Sequence, residues 1–102
     1  MPELVAVAKV EDIPTGTIRV VEAASRRIAL CNYEGTFFAI DDECTHDRGS
    51  LDQGELVGHE VECPRHGARF DVTTGRATRL PAVRPVRTYK VIVSDGSIAV
   101  EV

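Results

Sequence analysis

Both ends of the chain alternate apolar and polar side chains with a period of two residues, which is typical of β-strands. Short runs of this kind, separated by turn residues, predict six strands. These are Leu4 to Val10, Thr17 to Glu22, Arg27 to Asn32, Thr36 to Ile40, Thr88 to Val93 and Ser97 to Val102. No helical stripe of useful length interrupts them. The pattern therefore predicts an all-β fold, a sandwich or barrel of antiparallel strands.

Two of the connections carry turn signals. Tyr33-Glu34-Gly35 predicts a tight turn, and the Asp-Gly pair in Ser94-Asp95-Gly96 is a strong hairpin signal. The alternation around this second turn predicts that Val91 and Val93 share a face with the apolar residues of the last strand.

The middle of the chain, from Asp41 to Val72, departs from this pattern. It is rich in charge, glycine and histidine, and it has few bulky apolar side chains. Such a segment cannot be held together by apolar burial alone, and a long structureless loop inside a compact domain is improbable. Something else must organise it.

Composition narrows the class of protein. A chain of 102 residues with 43% apolar side chains is one globular domain. A net charge of −4 argues against nucleic-acid binding, and it suits either docking to a basic partner surface or solubility alone. The amino terminus lacks a signal-peptide pattern and no apolar run could span a bilayer, so we expect a cytoplasmic protein. In a reducing compartment its cysteines favour metal ligation or burial over disulfides.

Four strong metal ligands occur in the middle segment as two pairs, Cys44-x-His46 and Cys63-x-x-His66. Thiolates select zinc, copper(I) or iron–sulfur clusters, and imidazole suits zinc and iron. A structural zinc site usually begins with two closely spaced cysteines, and neither pair has that form. A two-iron cluster with two thiolates on one iron and two imidazoles on the other fits the spacing better. A zinc-stabilised binding module remains the alternative of a different class.

The context of these pairs resembles the Rieske [2Fe–2S] signature. The matching residues are Cys44-Thr45-His46, Cys63-Pro64-Arg65-His66-Gly67, Phe70-Asp71 and Thr74-Gly75. The resemblance implies one [2Fe–2S] cluster, with Cys44 and Cys63 on the inner iron and His46 and His66 on the outer, surface-facing iron. It covers the whole chain, residues 1–102, and implies a cluster-binding part at about 42–72 on a β base formed by 1–41 and 73–102.

The resemblance also assigns supporting roles. Gly49 and Gly67 are expected to bring backbone close to the cluster, so that N–H groups can point at its sulfurs, and Pro64 to stiffen the second loop. Leu80-Pro81-Ala82 resembles a proline-containing loop that shields the cluster.

Two departures from high-potential Rieske proteins bear on the redox behaviour. Gly49 and Arg65 replace a disulfide-bonded cysteine pair, and Ala68 and Phe70 replace two hydroxyl donors. With fewer hydrogen bonds to sulfur, the midpoint potential should be low, on the order of −150 mV.

The remaining reactive side chains are interpreted separately. Cys31 and His59 are expected to be structural. Cys31 has no partner at ligand spacing, and His59, four residues before Cys63, repeats no loop motif. Arg48 and Arg65, beside the ligand histidines, are either solvated loop charges or part of a docking rim.

No second cofactor motif accompanies the cluster ligands. Only one histidine is left for a mononuclear iron site, and no Gly-x-Gly-x-x-Gly fingerprint occurs. The chain resembles the ferredoxin components of bacterial aromatic-ring dioxygenase systems. This implies a non-enzymatic, monomeric electron carrier between a flavin-containing NADH reductase and a terminal oxygenase, with no membrane or nucleic-acid partner. The small subunit of an assimilatory nitrite reductase is the alternative within the same chemistry.

Overall fold

A computed structural model of the chain describes residues 3–43, 51, 54–64, 67–80 and 82–102. Within these ranges the regular structure consists of β-strands and 3₁₀ turns, of which Val10–Asp12 is described in full. The strands, in chain order, are β1 Leu4–Lys9, β2 Ile18–Ala23, β3 Arg26–Tyr33, β4 Thr36–Asp41, β5 Glu55–Val57, β6 Glu60–Glu62, β7 Arg69–Asp71, β8 Ala77–Arg79, β9 Thr88–Tyr89, β10 Val91–Ser94 and β11 Ser97–Glu101. No helix in the described ranges is long and apolar enough to cross a membrane.

The described strands form three antiparallel sheets, which confirms the predicted all-β class. Their strand orders are β1-β11-β10, β2-β3-β4-β9 and β5-β6-β7-β8. The second sheet lies between the other two and contributes side chains to two apolar clusters, one on each of its faces. Two of the layers thus form the β base, and the third carries the candidate site.

Strand β3 shows why the middle sheet can serve both clusters. Its core residues are fully buried and alternate between the two faces of the strand. Ile28 and Leu30 join the cluster shared with β11, whereas Ala29 and Cys31 join the cluster shared with β6 and β7. A strand covered on both faces needs a continuous apolar run, and this one has it.

The predicted Asp-Gly hairpin is confirmed. Asp95 and Gly96 have φ angles of 51° and 78°, the left-handed pair that a two-residue hairpin loop requires. Val91 lies opposite Val100 and Val93 opposite Ile98, so these side chains share one face, as the alternation predicts.

The prediction of one continuous strand from Thr88 to Val93 is wrong. Thr88 and Tyr89 pair with β4 in the middle sheet, while Val91–Ser94 pairs with β11 in the first sheet. Lys90 connects the two, and its carbonyl accepts a hydrogen bond from the Glu101 amide at 2.9 Å. The alternation of apolar and polar residues continues unbroken through Lys90. The sequence pattern therefore gives no signal that the chain changes sheets there.

The strands β5 to β8 were not predicted from the sequence. They are three residues long, and their inner face consists of a single row of paired side chains. Those side chains are Leu56, Val61, Phe70 and Ala77. This sheet extends from Glu55 to Arg79; the boundary of the cluster-binding part at residues 42–72 remains a prediction.

Candidate metal centre

Cys63 lies immediately after β6, at the start of the connection to β7. Its amide donates to the carbonyl of Ala68 at 2.7 Å, and its carbonyl accepts from the amide of Gly67 at 3.1 Å. These two bonds tie Cys63 to Gly67 and Ala68, the residues that follow His66 in the chain. Cys63 is 1% exposed and belongs to the apolar cluster with Leu51 and Phe70. The loop therefore has its cysteine end fixed in the core.

Gly67 adopts a φ of +76°, a left-handed conformation that glycine adopts without strain. Its amide donates to Cys63 within the loop. The N–H of Gly67 thus closes the loop, and the expected approach of this backbone to cluster sulfurs stays a prediction.

Gly54 brings the chain that follows the first ligand pair against the second loop. A Cβ at position 54 would lie 1.8 Å from the carbonyl oxygen of Glu62, so only glycine allows this approach. The Gly54 amide donates to the carbonyl of Leu51, whose side chain is fully buried. The chain at Gly54 is thus brought against the end of β6, immediately before Cys63, through close backbone contact. The sequence analysis did not identify Gly54 or Glu62, because neither is a ligand in the predicted site.

A cavity of about 450 Å³ opens beside Cys63. Its described lining residues come from both sides of the approach just described, and they are Gly54, Glu55, Glu62, Cys63, Pro64 and Gly67. A thiol that is buried in an apolar core at the edge of a cavity has the donor chemistry and the shielding that an iron–sulfur cluster needs. The described residues therefore fit such a cluster.

The other three predicted ligands, Cys44, His46 and His66, lie outside the described residues. The complete ligand set consequently stays a prediction, with Cys63 as its described member. Gly49, Arg48, Arg65 and Pro81 also lie outside the described ranges.

The chain leading into Cys44 is anchored in the middle sheet. The Asp42 side chain is fully buried, and its Oδ2 lies 3.2 Å from Nη2 of Arg27. The Asp42 amide donates to the Arg27 carbonyl at 3.1 Å. A buried carboxylate needs such compensation. This residue pair fixes the position from which the first ligand loop departs.

Cys31 and His59 both have partners within the fold, and that neither binds the metal stays a prediction. Cys31 is fully buried, and this burial, together with the charge of Asp42, raises the pKa of its thiol to about 12. His59 lies in the β5–β6 turn, with Nδ1 3.2 Å from Oδ1 of Asp71. Its ring meets that of Tyr33 edge-on, with centroids 5.9 Å apart. His59 therefore links the third sheet to the β3–β4 hairpin.

The residues that replace hydroxyl donors are part of the core. Ala68 and Phe70 are both fully buried in the cluster that contains Cys63. Neither side chain can donate a hydrogen bond, so the protein around Cys63 provides less polar stabilisation for added negative charge at these two positions.

The proposed shielding loop is anchored in the same core. Ala82 and Val86 are each 4% exposed and join the cluster with Cys63, whereas Leu80 is 73% exposed. The Val86 amide donates to the carbonyl of Gly75 at 2.7 Å. The loop is thereby held against the core next to the candidate centre.

Comparison with known proteins agrees with this geometry. The family model described as "Rieske [2Fe-2S] domain" matches residues 3–90. The 3-phenylpropionate/cinnamic acid dioxygenase ferredoxin subunit of Photorhabdus laumondii is 46% identical over 97 residues, which cover 94% of this chain and 91% of the relative.

Two solved structures superpose over nearly the whole chain. The ferredoxin of carbazole 1,9a-dioxygenase from Nocardioides aromaticivorans IC177 gives a TM-score of 0.93 at 34% identity, covering 95% of both chains. A chain from the complex of reduced oxygenase and oxidised ferredoxin in carbazole 1,9a-dioxygenase gives 0.91 at 35% identity, covering 95% of this chain and 91% of that one.

The chain therefore belongs to the Rieske [2Fe–2S] domain family. Its cofactor is one [2Fe–2S] cluster, and it is an electron-transfer protein of the ferredoxin type rather than an enzyme. These predictions from the sequence are confirmed, and the alternative of a zinc-stabilised module is wrong. A structure assigned as a nitrite reductase small subunit also superposes, with a TM-score of 0.82 over 96% of this chain and 97% of that one. At 17% identity that likeness shows the fold alone.

Proposed function

We propose that this chain is the ferredoxin of an aromatic-ring dioxygenase system. It takes one electron from a flavin-containing, NADH-dependent reductase and delivers it to a terminal oxygenase. The observation that supports this most directly is the Cys63 loop, a buried thiol beside a cavity in a chain whose relatives are dioxygenase ferredoxins. We place the exchange in the cytoplasm, where NADH is available.

The proposed ligand set divides the work between two loops. Cys44 and Cys63 would hold the inner iron, and His46 and His66 the outer iron. When bound, the cluster accepts and releases a single electron. The contribution of the protein is to position its ligands and exclude water. Burial of Cys63 and the anchored loop at Ala82 support that role.

A carrier that meets two partners in turn must release each of them, so we expect a monomer that binds both weakly. The net charge of −4 supports protein partners rather than nucleic acid. We assign no membrane partner.

The first test compares two buried cysteines of the same apolar cluster, Cys63 and Cys31. Cys63→Ser should lose the iron, the acid-labile sulfide and the visible absorption of the purified protein. Cys31→Ser should retain them, because we assign no ligand role to Cys31. A Cys63→Ser protein with a full complement of iron and an unchanged visible spectrum would contradict the proposed site.

The second test concerns electron flow. With NADH and the reductase of a related dioxygenase system, the holoprotein should be reduced and its visible absorption should bleach. Subsequent addition of the terminal oxygenase of that system should restore the oxidised spectrum as the electron leaves. Bleaching without reoxidation by the oxygenase, but with reoxidation by a nitrite reductase, would favour the alternative role.

A further inference from the structure

A row of four charged side chains crosses the outer face of the third sheet. The strand register places Glu55 opposite Glu62, Glu62 opposite Arg69, and Arg69 opposite Arg79. Neighbouring strands in this row thus carry two acidic residues followed by two basic ones. Like charges directly opposite each other are unfavourable, so the arrangement depends on the contacts between unlike partners.

Glu62 is the central acceptor of those contacts. Its Oε1 lies 3.6 Å from Nη1 of Arg79, and its Oε2 lies 3.9 Å from Nη2 of Arg69. Arg69 also reaches Glu60, with Nη1 3.7 Å from Oε1. The two arginines therefore hold the Glu62 carboxylate in place without removing its charge. The Glu62 side chain is only 30% exposed, so water screens its charge incompletely.

The Glu62 carboxylate lies next to Gly67, at the end of the second ligand loop. Glu62 precedes Cys63 in the chain and lines the same cavity. Its Oε1 is 3.6 Å from the position that a Cβ on Gly67 would occupy. A fixed negative charge thus stands at the loop between Cys63 and Gly67, beside the candidate cluster site.

We propose that the negative charge of Glu62, held in place by Arg79, keeps the reduction potential of this ferredoxin low. The inference rests on the proposed function, since it requires Cys63 to be a ligand. Reduction adds one electron, and hence one negative charge, at the site. A carboxylate fixed nearby opposes that charge, and a partner arginine offsets part of the opposition. Glu62 therefore acts in the same direction as the missing hydroxyl donors at positions 68 and 70.

The test is a redox titration of the holoprotein at pH 7, with Glu60→Gln as the matched control for Glu62→Gln. The two glutamates have similar exposure, 25% and 30%, and both contact Arg69. Glu60 lies two residues farther from Cys63 along the strand, roughly 7 Å at strand spacing. Glu62→Gln should favour the reduced form about threefold, which is about 28 mV at 59 mV per tenfold change. Glu60→Gln should give less than half of that shift.

Arg79→Gln provides an independent variant should Glu62→Gln fail to fold. It should move the midpoint in the opposite direction, to lower potential, while Arg76→Gln, three residues earlier and exposed, should leave it nearly unchanged. Opposite signs distinguish a charge effect from a general disturbance, which would move both variants the same way. Equal shifts for Glu62→Gln and Glu60→Gln, or shifts of the same sign for Glu62→Gln and Arg79→Gln, would overturn the inference.

Cluster content separates this failure from that of the proposed function. If Cys63→Ser retains the cluster, the proposed site fails. If every variant in the charged row loads the cluster and the potentials do not move as described, only the role of Glu62 fails.

Discussion

Gly75 lies so close to Val86 that a Cβ at position 75 would be 2.2 Å from the Val86 carbonyl oxygen. Gly75 also has a φ of +81°, and its carbonyl accepts a hydrogen bond from the Val86 amide at 2.7 Å. This contact fastens the end of the loop that packs beside Cys63. The Thr74-Gly75 part of the sequence signature thus has a structural reason: no other residue fits there.

Gly75→Ala should therefore destabilise the protein more than an ordinary left-handed glycine replacement. Gly35→Ala is the control, because Gly35 has a similar φ of +87° but no atom within 4 Å of its Cβ position. We expect about 1–2 kcal/mol for Gly35→Ala from backbone strain, and about 1–3 kcal/mol more for Gly75→Ala from the clash. Thermal unfolding of the holoproteins measures the difference. Equal losses would show that the approach to Val86 is relaxed at no cost.

The buried side chain of Asn32 joins two turns of the base. Its Nδ2 donates to the carbonyl of Ile13 at 2.7 Å, and its Oδ1 accepts from the amide of Gly35 at 2.8 Å. Asn32→Ala leaves both backbone groups without these partners, so we expect a loss of roughly 2–4 kcal/mol in the free energy of unfolding. Denaturant unfolding checks this value.

Asn32→Asp keeps the acceptor but removes the donor and buries a carboxyl group. Burial raises the pKa of such a carboxyl in the folded state above the unfolded value of about 3.9, so the variant should be most impaired at pH 7. It should regain stability as the pH falls through the raised pKa, and the gain should be complete near pH about 4. A loss that is independent of pH would contradict this explanation.

Asp71 gives the wild-type protein a stability term that depends on pH. Partial burial raises the pKa of this carboxyl, but hydrogen bonds from Thr73 and the contact with His59 outweigh it, so its pKa lies below the usual value. A lowered folded-state pKa stabilises the protein above the unfolded-state value of about 3.9, and this contribution disappears as the pH falls through the folded-state value.

Asp71→Asn should therefore be less stable than the wild type at pH 7, by roughly 1 kcal/mol, because the hydrogen bonds to this carboxylate are solvent-exposed. The difference should shrink below pH about 4. Unfolding curves recorded from pH 3 to pH 7 test this, and a constant difference over that range would argue that the Asp71 charge has no role.

Cys31 should resist alkylation in the folded protein. Its thiol is fully buried with a pKa raised to about 12, so almost no thiolate forms near neutral pH. Iodoacetamide at pH 8 should label this residue only after unfolding, as measured by mass spectrometry of the digested protein. Rapid labelling of Cys31 in the native holoprotein would show that the core opens locally.

The sequence by itself determined most strands of the base and the kind of cofactor. Alternating apolar residues around Asp95-Gly96 specify a hairpin, because local turn geometry and the two-residue period fix its register. The spacing of Cys44, His46, Cys63 and His66 indicated an iron–sulfur cluster, since ligand type and spacing are local properties of the chain. Family membership confirmed the cluster itself.

Only the tertiary structure decided how these parts are combined. The chain changes sheets at Lys90, and β5 to β8 form a sheet from strands too short to give a periodic signal. Ala24 and Ser25 form a two-residue turn with φ angles of 51° and 64°, although neither is a usual turn former. The approach of Gly54 to Glu62 and the row from Glu55 to Arg79 join residues that are distant in sequence. Such contacts depend on which segments the fold brings together, and neither composition nor local periodicity records that.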